Sequence, residues 1–129
     1  MLYPKTEPTQ NTTTLRPNPD AQAFLYHQPI DMRKSINGLG ALVEATQINT
    51  LMKGVIFVFY NRSRDKIKLL YWERNGFILW YKRLEKHRFK CPEQKRIWTP
   101  LTGQQLNQLL DGLDIFQQPH PTLFYDNVS

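Results

Sequence analysis

Apolar positions along this chain recur with two different periods. From Met32 to Val43 the spacing is helical, and Met32, Ile36, Leu39, Leu42 and Val43 share one face. Asp31, just before them, has the chemistry of an N-cap for a helix that begins at Met32. From Gly54 onward the blocks shorten to strand length. Val55 to Tyr60, Lys66 to Trp72 and Phe77 to Lys82 read as three strands. The polar loop Asn61 to Asp65 joins the first two, and Glu73-Arg74-Asn75-Gly76, with its Asn-Gly pair, predicts a tight hairpin between the others. Short connections of this kind make an antiparallel meander. Ala23 to His27 predicts an outer strand, ended by Pro29, and Arg96-Ile97-Trp98 a last short one. From Thr102 the helical period returns. Thr102 and Gln105 are spaced as a capping box, Leu106, Leu109, Leu110 and Leu113 form a stripe, and Gly112 follows as a stop.

Met1 to Asp20 is rich in Pro, Thr, Asn and Gln and has too little apolar surface to offset its ordering entropy. The expected division is therefore a disordered tail over 1–20, one α+β domain over 21–116, and a frayed tail over 117–129. The domain is expected to be a small antiparallel β-meander sheet packed by two helices. Gly38 and Gly40 weaken the first helix by about 1 kcal/mol each relative to Ala, which predicts a close approach to the sheet. Alternation leaves neither sheet face cleanly polar. One face is expected to receive both helices, and the other, which mixes Trp and Tyr with Lys, to stay uncovered and available to a partner.

Charge changes the picture. The chain carries 17 Lys and Arg against 11 Asp and Glu, but the excess is local. Between Gly54 and Arg96 stand twelve cations and four carboxylates; the remainder has five and seven. A concentration of this kind creates a field that attracts polyanions, or it is simply a solvated face. Arg62, Arg64, Lys66 and Lys68 on the first hairpin, and Lys82, Arg83, Lys86, Arg88 and Lys90 on and after the third strand, are the candidate nucleic-acid contacts. Such residues neutralise phosphates and read little sequence. Trp72, Trp80 and Tyr81 are the candidate interaction surface, through stacked bases or through a protein partner.

Other chemistry finds little support. There is no phosphate-cradling glycine loop. His87 and Cys91 are four apart but would need further ligands, and His27 and His120 are the other histidines. Asp31, Asp65, Glu73, Glu85 and Glu93 are scattered through caps, turns and basic runs, so no two-metal carboxylate cluster is legible. The expectation is no catalytic residue, no metal and no cofactor. No apolar run reaches the roughly 18 residues of a membrane span. A single cysteine and no leader pattern point to the cytoplasm.

Three blocks carry a resemblance: DMRKSINGL (Asp31 to Leu39), IFVFYNRSRDKIKLLYWERNGFILWYKRLEKHRFKCP (Ile56 to Pro92) and LTGQQLNQLLDGLD (Leu101 to Asp114). In order and spacing they resemble the TnpB-type accessory proteins encoded by the second open reading frame of insertion sequences of the family numbered sixty-six. The resemblance implies a bacterial mobile-element protein that assists transposition, while a separate, larger transposase carries the catalytic carboxylates. Cys91 departs from the Trp that the family often has before the proline. The function expected is that of a non-catalytic accessory protein binding DNA through a basic sheet and loop surface. The alternative is an interaction module that assembles with the transposase, or with itself as a homo-oligomer, through the aromatic face.

Overall fold

The computed structural model describes residues 16–48 and 54–116. The strands are β1 (Gln22–Tyr26), β2 (Val55–Tyr60), β3 (Lys66–Glu73), β4 (Gly76–Arg83) and β5 (Trp98–Thr102). The helices are α1 (Ile36–Ala45), between β1 and β2, and α2 (Gly103–Leu110), after β5. The strands form one sheet in the order β4-β3-β2-β1-β5. The meander β2-β3-β4 is antiparallel, as expected. The β3–β4 turn is shifted by one residue from the Asn-Gly reading: Gly76 already pairs with Glu73, and Arg74 takes the left-handed φ of 56°.

β1 is not an outer strand. It lies inside the sheet, parallel to β2 and antiparallel to β5, and Ala23 and Leu25 are fully buried. A parallel neighbour demands a crossover, and α1 supplies it. The remaining connection, residues 84–97, runs from β4 at one edge to β5 at the other. It crosses the end of the sheet as a strap. The Leu84 amide donates to Asp65 O at 2.7 Å, Phe89 N–H to Arg64 O at 2.7 Å, and Gln94 N–H to His27 O at 3.3 Å. Phe89 and Cys91 anchor the strap in the core.

The two helices cover opposite faces, not the same one. All six residues of β2 are buried, so both faces need a lid. Ile56, Val58 and Tyr60 pack with Ile67, Leu69, Leu101 and the α2 residues Leu106, Leu109 and Leu110. Val55, Phe57 and Phe59 pack with Leu70, Trp98 and the α1 residues Leu39 and Val43. Trp98 centres the second cluster, with ring centroids 5.1 Å from Tyr26 and 5.4 Å from Phe57. Its indole N–H donates to Thr46 Oγ1 at 3.0 Å, tying β5 to the end of α1.

Helix ends differ in how they follow from sequence. α2 has the expected capping box between Thr102 and Gln105, 3.0 Å in each direction. It ends in a Schellman turn: Gly112 has φ 86°, Leu113 N–H donates to Gln108 O, and Gly112 N–H donates to Leu109 O. Leu113 itself lies outside the buried stripe, 53% exposed. α1 starts later than expected, with Ser35 and not Asp31 at the N-cap position. Asp31 makes its own turn, its Oδ1 accepting the Arg33 amide at 2.9 Å. The Lys68 ammonium donates to the carbonyls of Met32 and Lys34, both at 2.8 Å, so these oxygens have a partner outside any helix.

The glycine that a close approach requires is Gly103, not Gly38 or Gly40. A Cβ on Gly103 would lie 1.9 Å from the Asn18 carbonyl oxygen. Residues 16–20, inside the segment expected as a tail, pack on α2 there. Asn107 donates to Pro17 O at 2.9 Å, and Arg16 pairs with Asp111. Backbone pairing, with Gln104 N–H on Pro19 O, substitutes for the apolar burial this segment lacks. The rest of the expected 1–20 tail, residues 1–15, and the expected tail over 117–129 lie outside the described residues.

Gly103→Ala is expected to destabilise the protein by about 1–3 kcal/mol in urea denaturation, because backbone must move. Gly40→Ala, with open space around it, is expected to stabilise by about 0.5–1 kcal/mol. Burial pushes the Cys91 thiol from 9.0 to about 12. The folded protein should therefore resist alkylation by iodoacetamide at pH 8 and react once unfolded. Since the folded value is the higher, this group's contribution to stability is complete below pH 9 and is lost as pH rises toward 12. Chemical denaturation in steps from pH 8 to 11, on the protein and on Cys91→Ala, checks that sign.

Candidate nucleic-acid interface

The fold gathers positive charge at one end of the sheet. Three segments meet there: the turn Asp31–Lys34 before α1, the β2–β3 loop Asn61–Lys66, and Arg83 with the strap. Backbone bonds link them, since Ile30 N–H donates to Tyr60 O at 2.8 Å and the strap is fastened to Asp65 and Arg64. Together these segments hold eleven Lys and Arg against four Asp and Glu. Three of the four carboxylates already have partners. Asp31 pairs with Arg33 at 2.7 Å, Glu85 with Arg83 at 3.0 Å, and Asp65 with the Asn61 amide at 2.7 Å and Lys66 at 3.3 Å. The Arg33 side chain, hydrogen-bonded to Asp31, holds that carboxyl down at about 2. Arg83 is raised by its bond to Glu85.

The nine candidate cations divide into three groups. Four of them build the structure. The Lys82 ammonium donates to Leu110 O at 2.9 Å, at the C-terminus of α2, where a cation complements the helix dipole. Lys68 holds the 31–34 turn and lies 5.8 Å from the Tyr81 ring centroid. Arg64, with φ 61° at the loop corner, donates to Cys91 O at 2.6 Å and to Arg62 O at 3.0 Å, and sits over the Tyr60 ring. Arg88 donates to Ser63 O at 2.7 Å. Lys66 and Arg83 are the ones paired with carboxylates. The side chains of Arg62, Lys86 and Lys90 are exposed and make no hydrogen bond or ion pair among the described residues.

Four cations missed as candidates share this end: Arg33, Lys34, Lys95 and Arg96. Nothing local in the sequence singles out Arg33 and Lys34 as part of this surface, or shows that the strap carries Lys95 and Arg96 to the same end of the sheet, where Gln94 N–H donates to His27 O.

The aromatic candidates are not brought together. The β3–β4 register pairs Trp72 with Phe77 and Trp80 with Leu69, so alternation sends Trp72 and Tyr81 to the α1 side and Trp80 to the α2 side. Trp72 packs edge-on against Phe77, centroids 5.1 Å apart. Tyr81 is 49% exposed. Trp80 lines a mostly apolar cleft of about 300 Å³, with Ala21, Ile56, Leu69 and Tyr71. No face of the sheet is bare throughout: α1 lies over part of β3 and β4, and α2 over β1 and β5. What remains open on the α2 side is the outer half around Tyr71, Ile78 and Trp80.

His87 is exposed and Cys91 buried, so the two do not converge. Among the described residues no group of three or more His, Cys, Asp or Glu is arranged to hold a metal ion. Among them, too, no helix is long and apolar enough to cross a membrane.

Residues 21–120 match the family model described as IS66 Orf2 like protein. Among curated relatives, the uncharacterized protein y4jC of Sinorhizobium fredii (strain NBRC 101917 / NGR234) is 33% identical over 98 residues, covering 76% of this chain and 84% of its own. The uncharacterized protein y4hO of the same organism is 33% identical over 93 residues, covering 71% of this chain and 79% of its own. No solved structure matches the chain significantly. The family match spans the sheet, both helices and the basic strap alike, and the chain belongs to the IS66 Orf2-like family.

Proposed function

We propose that the protein is a non-catalytic accessory factor in transposition of an insertion sequence, and that it contacts DNA through the basic end of its sheet. The family membership suggests the accessory role. The observation that carries the DNA contact is the excess of eleven cations over four carboxylates on three segments that backbone hydrogen bonds fasten into one surface. A rigid display of this kind loses little entropy on meeting a phosphate backbone, and its affinity comes from counterion release. Arg62, Lys86 and Lys90 are the principal phosphate contacts, since they have no internal partner to give up. Lys82 and Lys68 take no part in it; their ammonium groups already serve carbonyls at 2.8–2.9 Å. Lys and Arg on such a surface meet backbone phosphates, so the reading is of binding with little sequence preference. Strand cleavage and joining belong to the element's transposase.

Binding to a short duplex and to a single strand, measured from 50 to 300 mM salt, tests this. The expected result is a steep linear fall of log K with log salt. The triple change Arg62→Gln, Lys86→Gln, Lys90→Gln should weaken binding by on the order of tenfold or more and lower the slope by about one per lost phosphate contact. Lys82→Met should lower stability and leave the slope unchanged. An absence of binding at 50 mM salt, or a triple variant with the parent slope, rules the reading out.

A further inference from the structure

The sheet has two edges, and they are built differently. β5 is five residues long and carries Pro100 at its centre, which removes one ladder donor. β4 is eight residues, GFILWYKR, with no proline, and the sheet's own strand order gives it β3 as its one neighbour among the described residues. Its polar groups alternate. Leu84 N–H points at Asp65 O, and the register then turns the even-numbered residues of β4 toward β3. Phe77, Leu79, Tyr81 and Arg83 direct their N–H and C=O groups outward. Apolar side chains flank this bare ladder. Ile78 is 36% and Tyr81 49% exposed, and Trp80 is half-buried at the rim of the apolar cleft. Natural edge strands are blunted by proline, inward charge or a bulge, and β4 has none of these along Phe77 to Tyr81.

We propose that β4 pairs with β4 of a second copy, antiparallel and about a twofold axis through Trp80, joining two five-stranded sheets into one. The outward groups limit the registers to those that pair odd-numbered residues with each other. Centred on Trp80, the pairs are Phe77 with Arg83 of the second copy and Leu79 with Tyr81, twice each, for about eight backbone hydrogen bonds. On the α2 side the two Trp80 rings then face one another, and Ile78 lies along the aliphatic stem of Lys82. No like charges stand directly opposite, whereas a register with its twofold axis two residues nearer the turn, at Ile78, would bring Arg74 and Lys82 into line. The edge is thus complementary to itself in ladder, in apolar contact and in charge. A second copy is the occupant these features specify, and the assembly does not rest on the DNA reading: Arg62, Lys86 and Lys90 lie outside β4, and only Arg83 belongs to both the basic end and this edge.

The test uses the full chain. Sedimentation velocity from about 1 to 100 µM should show a monomer–dimer equilibrium, and the amides of Phe77, Leu79 and Tyr81 should gain hydrogen-exchange protection as dimer forms. Tyr81→Pro removes one outward N–H at an edge and leaves the β3 ladder intact. It should keep the circular dichroism of the parent and raise the dimer dissociation constant at least tenfold. Ile78→Lys, which meets Lys82 of the second copy, should weaken the dimer similarly, whereas Ile78→Glu should retain it. Circular dichroism and the DNA salt slope, unchanged in both Ile78 variants, separate lost pairing from lost fold. A strict monomer at 100 µM overturns the proposal, as does a dimer that both Tyr81→Pro and Ile78→Lys leave intact. Protection of the odd-numbered amides in the monomer also overturns it, since another segment of the chain then covers the edge.

Discussion

Six consecutive side chains of β2, Val55 to Tyr60, are withdrawn from water on both faces of the sheet, and that single condition dictates most of the chain's path. A strand buried on both faces needs a strand on each side and a lid above and below. The meander supplies β3 on one side. The other side has to be filled by a segment that does not follow β2 in sequence, and β1 fills it in parallel, which in turn requires the α1 crossover. α1 then closes one face and α2 the other. Each large apolar side chain of β2 removed from water contributes about 1.5–3 kcal/mol, so the strand outweighs any local preference elsewhere in the chain.

The same condition sends residues 84–97 across the end of the sheet, because β5 must reach the far side of β1. The charged end is a by-product of that journey. A strap that passes over strand ends meets carbonyls and turns, and Arg64 and Arg88 use them as anchors. Net charge by itself therefore overstates what is free to bind. The cations that hold turns and helix ends give the surface its rigidity, and the unpaired ones give it reach.

Much of this fold was legible in the sequence wherever the cause is local. The three-stranded meander, the Thr102–Gln105 capping box and the Gly112 stop depend on near neighbours and were readable from period and residue type. What was not legible depends on partners distant in the chain. Ala23 to His27 looks like an outer strand because its burial is conferred by β2 and β5. Asp31 looks like a cap, but Lys68, far along the sequence, takes the carbonyls that a helix there would use. Trp72 and Trp80 look like one surface because seven residues, including a turn, separate them, and only the pairing register assigns them to opposite faces. For the candidate contacts, the region was readable from charge density. Which cations are free within it was not, since that depends on carbonyls brought in by the strap.

The pairing of β1 with β5, Gln22 opposite Thr102, also sets an order of events at synthesis. β1 leaves the ribosome early, yet its outer neighbour is nearly the last part of the domain to be made. Until then Ala23 and Leu25 lack the strand beside them and the helix above them. The meander can close from local contacts as soon as it emerges, while completion of the sheet waits on the longest loop closure between paired strands. The newborn chain thus carries an unfinished sheet edge until β5 is made, and α2, the last helix among the described residues, is the one that seals it.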